Sequence, residues 1–257
     1  MQAIKADQST HVFDSYFSYK KPIVDPATDS DATEGLSFTL TNSTLDPYYT
    51  CSGIGTATDT EIVVPSYYDN IPVRYIGGFS SNTSITSVTL KDNMEATKDS
   101  AFYSATNLGR IVFPRTFRNL TYRAIVSTAI TTVDFRASLQ PINLSGGQIF
   151  GRSVNLYMND FPATYGSSTF ASYRLTSWYI PSIESLLKSS FSLGSNYIPC
   201  STTTKIYINE QLLEDLVVPD SVTSLPSYLF YNYSYLKTLD LNKTSSIGAY
   251  CFYNSGL

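Results

Sequence analysis

Apolar residues along this chain fall in short clusters of three, two of them flanking one outward-facing position, and the clusters recur roughly every 20 to 25 residues. They are Ile62-Val63-Val64, Val88-Thr89-Leu90, Ile111-Val112-Phe113, Val133-Asp134-Phe135, Leu156-Tyr157-Met158, Trp178-Tyr179-Ile180, Leu216-Val217-Val218 and Leu239-Asp240-Leu241. Alternation over so few residues predicts short strands. A proline often follows, at Pro65, Pro114, Pro181 and Pro219. Proline has no N–H to donate, so it ends the ladder and turns the chain.

A second anchor comes about a dozen residues after each strand, in the pairs Gly78-Phe79, Ala101-Phe102, Ala124-Ile125, Ile149-Phe150, Thr169-Phe170, Ser190-Phe191, Leu229-Phe230 and Cys251-Phe252. The first residue is usually small or apolar, and a small one lets the backbone approach the neighbouring coil. The ring or Ile that follows fills the core between coils. Two anchors recurring together at this period predict a solenoid, in which each unit buries its apolar face only by stacking on its neighbours.

The pattern divides the chain into three parts. Residues 1–34 are polar and aperiodic, and are expected to form a flexible segment or adhering arm. Residues 35–61 hold two alternating runs, Leu36 to Leu40 and Tyr48 to Ser52, around a turn at Asn42 to Pro47. That predicts a β-hairpin capping the first coil. Residues 62–257 make the solenoid, about eight units with an insertion near 192–215. Just before the insertion, Ser182 to Leu187 predicts a short helix. Within it, Ile206-Tyr207-Ile208 and Leu216-Val217-Val218 are expected to pair as a hairpin whose loop starts at Asn209-Glu210. The last residues, Asn254-Ser255-Gly256-Leu257, stop where a further unit would begin, so further repeats or a partner are expected to cover that end.

Val218-Pro219-Asp220-Ser221-Val222-Thr223-Ser224-Leu225 and Ser246-Ile247-Gly248-Ala249-Tyr250-Cys251-Phe252 resemble the BspA-type leucine-rich repeat. Tyr75-Ile76-Gly77, Ser100-Ala101-Phe102 and the stretch Cys51 to Thr56 are similar to the same pattern, which extends from about 36 to 257 but drifts between about 115 and 175. The resemblance implies a right-handed, β-rich leucine-rich-repeat solenoid, with short parallel strands on one face and turns and short helical segments on the other. It also implies a non-catalytic binding role, typically adhesion at a microbial surface, with no catalytic residue to carry over.

Composition narrows the chemistry. Charged residues are 15% of the chain, well below the usual quarter, while tyrosine reaches 21. The surface therefore binds through hydroxyls and aromatic groups more than through ion pairs. Net charge is −4 and no Lys/Arg cluster is long enough to neutralise a phosphate backbone, which argues against nucleic acid. No run of about 18 apolar residues predicts a membrane span. The first residues lack the apolar core of a signal peptide, leaving another export route, a cytosolic or virion location, or a missing leader open. The single histidine, His11, falls in the aperiodic segment, which argues against Ser/His/Asp and Cys/His catalysis and two-His metal sites. No cofactor is expected. Cys51 and Cys251 are expected to be buried thiols too far apart to pair, and Cys200, in a loop-like stretch, to be the reactive one. Asn-x-Ser/Thr triplets at Asn42, Asn82, Asn119, Asn143, Asn232 and Asn242 are expected from chance in a chain this rich in Ser and Thr.

The outward residues of successive strands should stack in a column: Thr89, Val112, Asp134, Tyr157, Tyr179, Val217 and Asp240, with Tyr207 nearby on the inserted strand. Three tyrosines in mid-column would form a flat aromatic patch with polar tips, suited to protein or glycan, although stacked tyrosines also serve simply to stabilise a sheet. The expected ligand-binding residues are Tyr157, Tyr179, Tyr207, Asp134 and Thr89. The expected function is a non-catalytic adhesion or recognition module on a cell surface or secreted, whose partner is a host or microbial surface protein or glycan. Alternatives are a structural or receptor-binding component of a phage tail or virion, or an accessory arm of a larger enzyme.

Overall fold

The structure is a computed structural model that describes residues 29–170, 173–193 and 198–257, so His11 and most of the expected arm lie outside the described residues. The chain coils into a β-solenoid of about eight turns. Successive turns lay parallel rungs side by side: Glu61–Val64, Ser87–Leu90 and Arg110–Val112, then Thr132–Asp134, Asn155–Tyr157, Ser177–Ile180 and Lys205–Ile208, then Asp215–Val217 and Thr238–Asp240. Alternation decides which way each side chain points. Val88 and Leu90, Leu156 and Met158, and Trp178 and Ile180 are buried, while Thr89, Tyr157 and Tyr179 between them are partly exposed.

A second parallel ladder, built from two-residue strands, runs along another side of the coil. It joins Asn143–Leu144, Thr164–Tyr165 and Ser190–Phe191, and separately Ser224–Leu225 and Ser246–Ile247. At the start it is continuous with the capping hairpin, whose strands Ser37–Thr41 and Tyr48–Gly53 pair antiparallel before the inner one meets Ile71–Ile76 in parallel. The only helix among the described residues is Ile183–Leu187, where the Ser182 hydroxyl caps the N-terminus by accepting from the Ser185 N–H at 3.2 Å.

Between the ladders, rings from neighbouring coils fill the interior: Phe79 against Phe102 at 5.5 Å, Phe150 against Phe170 at 6.1 Å, and Phe230 against Phe252 at 5.5 Å. Full burial of one such ring is worth about 1.5–3 kcal/mol, so the stacked core carries most of the stability. Side-chain amides tie the coils together, those of Asn93 and Asn159 buried. Asn93 Nδ2 donates to the Ser66 carbonyl at 3.1 Å, Asn159 Nδ2 to the Ser138 carbonyl at 3.0 Å, and Asn242 Nδ2 to the Val218 carbonyl at 2.8 Å. Each follows a rung and donates to a carbonyl of the preceding coil.

Two local expectations differ from what the structure shows. Ser190-Phe191 is not a turn anchor like Thr169-Phe170; it pairs with Thr164-Tyr165 in the second ladder. An aromatic after a small polar residue fits either place, and the helix Ile183–Leu187 shifts the count along the coil. Ile206-Tyr207-Ile208 does not pair with Leu216-Val217-Val218. It is a full rung, parallel to Ser177–Ile180, and its hairpin partner is Gln211–Leu212. That turn-back shortens the coil, which is why the interval looks like an insertion. The chain is docked from residue 29 onward: the Thr33 N–H donates to the Val63 carbonyl at 3.0 Å, and the Asp29 carboxylate accepts from the Ser66 N–H at 2.7 Å.

Candidate ligand-binding face

The outward column exists, and its register is fixed by the ladder. Asp134 is the partner of Tyr157, Tyr157 of Tyr179, and Tyr179 of Tyr207. Tyr207 thus belongs to the column itself. Thr89 sits apart, between Val63 and Val112 in the earlier rungs, where no tyrosine adjoins it. Four of the five expected residues are therefore brought together and one is not.

The three rings do not form a flat sheet of exposed faces. They are piled face to face along the solenoid axis: Tyr157 and Tyr179 are 4.1 Å apart at 2°, and Tyr179 and Tyr207 are 4.6 Å apart at 5°. The spacing follows from the distance between parallel strands, roughly 4.7–4.9 Å, which places side chains of equal register at ring-stacking distance. Both faces of Tyr179 are consequently covered, and what remains outward is ring edge and phenol hydroxyl. Burial first, and then its hydrogen bond to the Tyr179 phenol, raise the Tyr157 hydroxyl above its ordinary pKa.

One end of the pile is closed by a residue that the sequence reading did not single out. The Arg136 guanidinium lies over the Tyr157 ring, 4.5 Å from its centroid, and is held there by Asp134 at 2.6 Å. Burial pushes the Asp134 carboxyl up, but the Arg136 guanidinium and backbone N–H more than offset this and leave it below its usual value. Asp134 is thus an anchor for Arg136, already engaged. Carrying the strand alternation one step past the inward Phe135 would have placed Arg136 on this face.

At the other end the hairpin Lys205–Ile208/Gln211–Leu212 projects its two-residue turn, Asn209-Glu210. Both turn residues have left-handed backbone, φ 47° and 65°. A shallow groove of about 160 Å³ runs beside the pile between Arg136 and this turn, with Tyr157 and Tyr179 along it.

Elsewhere the chemistry is closed off. Cys200 is fully buried, and burial pushes its thiol up to about 12, which overturns the expectation that it is reactive. Cys51 and Cys251 are buried, unpaired thiols as expected. Among the described residues no group of three or more His, Cys, Asp or Glu is placed to hold a metal ion, and no helix is long and apolar enough to cross a membrane.

Residues 77–198 and 203–257 match the BspA type leucine-rich repeat region, in 6 copies. The chain belongs to the BspA-type leucine-rich repeat family. In this BspA-type protein the matched residues include rungs of both ladders, such as Ser87–Leu90 and Asn143–Leu144, and the anchors Ala101-Phe102 and Leu229-Phe230. Among solved structures, it resembles a Treponema pallidum leucine-rich repeat protein at 17% identity and TM-score 0.42, covering 86% of each chain. It also resembles the pneumococcal vaccine antigen PcpA at 15% identity and TM-score 0.49, covering 87% of this chain and 67% of that one. A leucine-rich cell surface protein from Faecalibacterium prausnitzii gives 16% identity and TM-score 0.41, over 84% of this chain and 71% of the other. Among curated proteins, none matches this BspA-type chain significantly.

Proposed function

We propose that this BspA-type repeat protein is a non-catalytic recognition module, displayed on a microbial cell surface, that binds a protein or glycan ligand through the strand face centred on Tyr157, Tyr179 and Tyr207. One observation carries the reading. A register-locked pile of three tyrosines, closed by Arg136 and bounded by a projecting hairpin, interrupts a column whose earlier outward residues are Val63, Thr89 and Val112. Tyrosine is stiff, large and polar at its tip, which suits it to recognition at low entropic cost. A bland ladder position needs none of the accompanying features; Val63 and Val112 occupy equivalent positions without them.

The test is a binding screen of the full chain against immobilised matrix proteins and a glycan array, repeated with the Tyr157→Ala/Tyr179→Ala/Tyr207→Ala variant. The reading requires a ligand whose capture drops at least tenfold in the triple variant while the far-ultraviolet signature of the solenoid is kept. Unchanged capture would move the binding face elsewhere on the coil.

A further inference from the structure

The groove between Arg136 and the Asn209-Glu210 turn can be read for the class of ligand it takes, an inference that rests on the tyrosine face being the binding surface. Three constraints come from the geometry. First, a ligand cannot stack on a ring face there, because Tyr179 is covered on both sides by its neighbours and Tyr157 by Tyr179 and Arg136. Flat aromatic ligands and aromatic side chains thus lose their usual mode of attachment. Second, a peptide cannot add as a strand beside the pile, since Asn155–Tyr157 and Ser177–Ile180 are hydrogen-bonded to rungs on both sides. Third, the space is small. At about 160 Å³ it falls below the roughly 300 Å³ at which ordinary small-molecule sites begin.

What the groove offers is a set of planar hydrogen-bonding groups around an apolar floor. Exposed Pro181 and the outward ring edges of Tyr157 and Tyr179 form the floor, since Met158 and Ile180 turn into the core. Around it stand a guanidinium, an amide, a carboxylate and phenol hydroxyls. The carboxylate accepts, the amide both donates and accepts, and the guanidinium, whose Nε and one Nη are held by Asp134, donates through its remaining N–H groups. That is a match for adjacent hydroxyls on a ring whose C–H face rests on apolar atoms. We infer that the groove takes one neutral pyranose unit, its vicinal hydroxyls held by Glu210, Asn209 and Arg136 and its C–H face resting on Pro181 and the ring edges of Tyr157 and Tyr179. The position of Glu210 is consistent with this: a charged, unbranched residue is held at φ 65°, a conformation that glycine takes more easily. One sugar in one shallow groove binds weakly, with a Kd on the order of 1 mM. Avidity would then come from several copies displayed together.

Saturation-transfer NMR on the full chain, with methyl α-mannopyranoside, methyl β-galactopyranoside, methyl β-glucopyranoside and N-acetylglucosamine as probes, tests the inference. At least one glycoside is expected to receive saturation, and Glu210→Gln and Arg136→Gln are each expected to weaken it at least tenfold without lowering the Tm by more than a few degrees. Two results overturn it: no glycoside binds, or one binds and neither variant changes its affinity. If no glycoside binds while a protein ligand from the screen still depends on the three tyrosines, the sugar assignment alone falls and the recognition face stands. If the triple tyrosine variant also leaves every captured ligand unaffected, both fall.

Discussion

Arg136 lies over the ring of Tyr157, 4.5 Å from its centroid, while its guanidinium holds the Asp134 carboxylate at 2.6 Å. The two contacts depend on each other: the carboxylate fixes the guanidinium where it caps the pile. An exposed cation–π contact is worth about 0.5–1 kcal/mol and an exposed ion pair about 0–1 kcal/mol. Arg136→Ala should therefore lower the unfolding free energy by about 1 kcal/mol in urea titration at pH 7. Asp134 sits below its ordinary pKa when folded, so its contribution is present above the unfolded value, about 3.9, and is lost as pH falls through the folded one. The gap between wild type and variant should accordingly narrow at pH 3. In the variant, NMR titration should show the Asp134 carboxyl moving up, because only the backbone N–H of residue 136 is left to oppose burial.

Tyr179 is the middle ring of the pile and touches both neighbours. Each cross-strand aromatic pair contributes roughly 0.2–1 kcal/mol. Tyr179→Ala is expected to cost about 1–2 kcal/mol, and Tyr179→Phe, which keeps both stacking contacts, less than about 0.5 kcal/mol. Ligand binding should separate the two roles of the residue. If the hydroxyl row does the recognising, Tyr179→Phe weakens capture while leaving the urea midpoint nearly unchanged. Equal losses in both measurements would make Tyr179 a packing residue only.

The coil and its period were legible because stacking forces the same inward pattern on every unit: Val88 and Leu90, Leu156 and Met158, and Trp178 and Ile180 repeat one choice. The outward column was legible for the same reason, since period two fixes the outward residue once the inward ones are known. What could not be read was ring orientation. Whether Tyr157, Tyr179 and Tyr207 lie flat or pile up depends on the distance between rungs, which no residue in the chain encodes by itself. The second ladder was illegible because its strands are two residues long, too short for any alternation. The hairpin partner was hidden because Leu216-Val217-Val218 makes a more apolar strand than Gln211-Leu212; the tight Asn209-Glu210 turn selects the nearer partner.

Gly78 packs its backbone directly against Ser52 of the capping hairpin. Its φ is 74°, and a Cβ there would lie 1.7 Å from the Ser52 carbonyl oxygen. Both the conformation and the space exclude a side chain, and the obstacle is backbone, which cannot rotate away. Gly78→Ala is expected to cost more than about 2 kcal/mol and to loosen the cap. Hydrogen exchange should show the loss concentrated in Tyr48–Gly53 and Ile71–Ile76, with the rungs around Tyr179 still protected.

The thiols predict an alkaline limit. Burial pushes Cys51 and Cys200 up to about 12 and Cys251 up to about 11. Each therefore stays protonated in the folded chain at pH values where the unfolded chain, with a pKa near 8.5, has lost its proton. Stability is then full below about pH 8.5 and falls as pH rises toward the folded values, by up to about 1.4 kcal/mol per pH unit for each thiol. Burial also raises the Tyr165 and Tyr233 phenols, which steepens the fall at the upper end. A urea midpoint that declines between pH 9 and 11 checks this. In the native protein at pH 8 none of the three thiols should react quickly with an aromatic disulfide reagent, whereas all 3 react once the chain is unfolded.

The turn at Asn209-Glu210 opposes stability to recognition. A two-residue hairpin with both central residues at positive φ favours Asn-Gly, and here Asn209 fits while Glu210, at φ 65°, occupies the glycine position. The left-handed conformation costs a residue with a Cβ roughly 1–2 kcal/mol, and glycine gives back about 0.4–1 kcal/mol through the entropy of its unfolded chain. Glu210→Gly is thus expected to raise the unfolding free energy by about 0.5 kcal/mol. Glu210→Gln, which keeps the strained backbone and removes only the charge, should leave stability unchanged within about 0.3 kcal/mol. Both remove the carboxylate from the groove, so both should weaken binding alike. Improved stability with lost binding in Glu210→Gly would mean the carboxylate is kept at a cost in backbone strain. A Glu210→Gly chain that is no more stable than wild type would show that the ladder alone holds the turn.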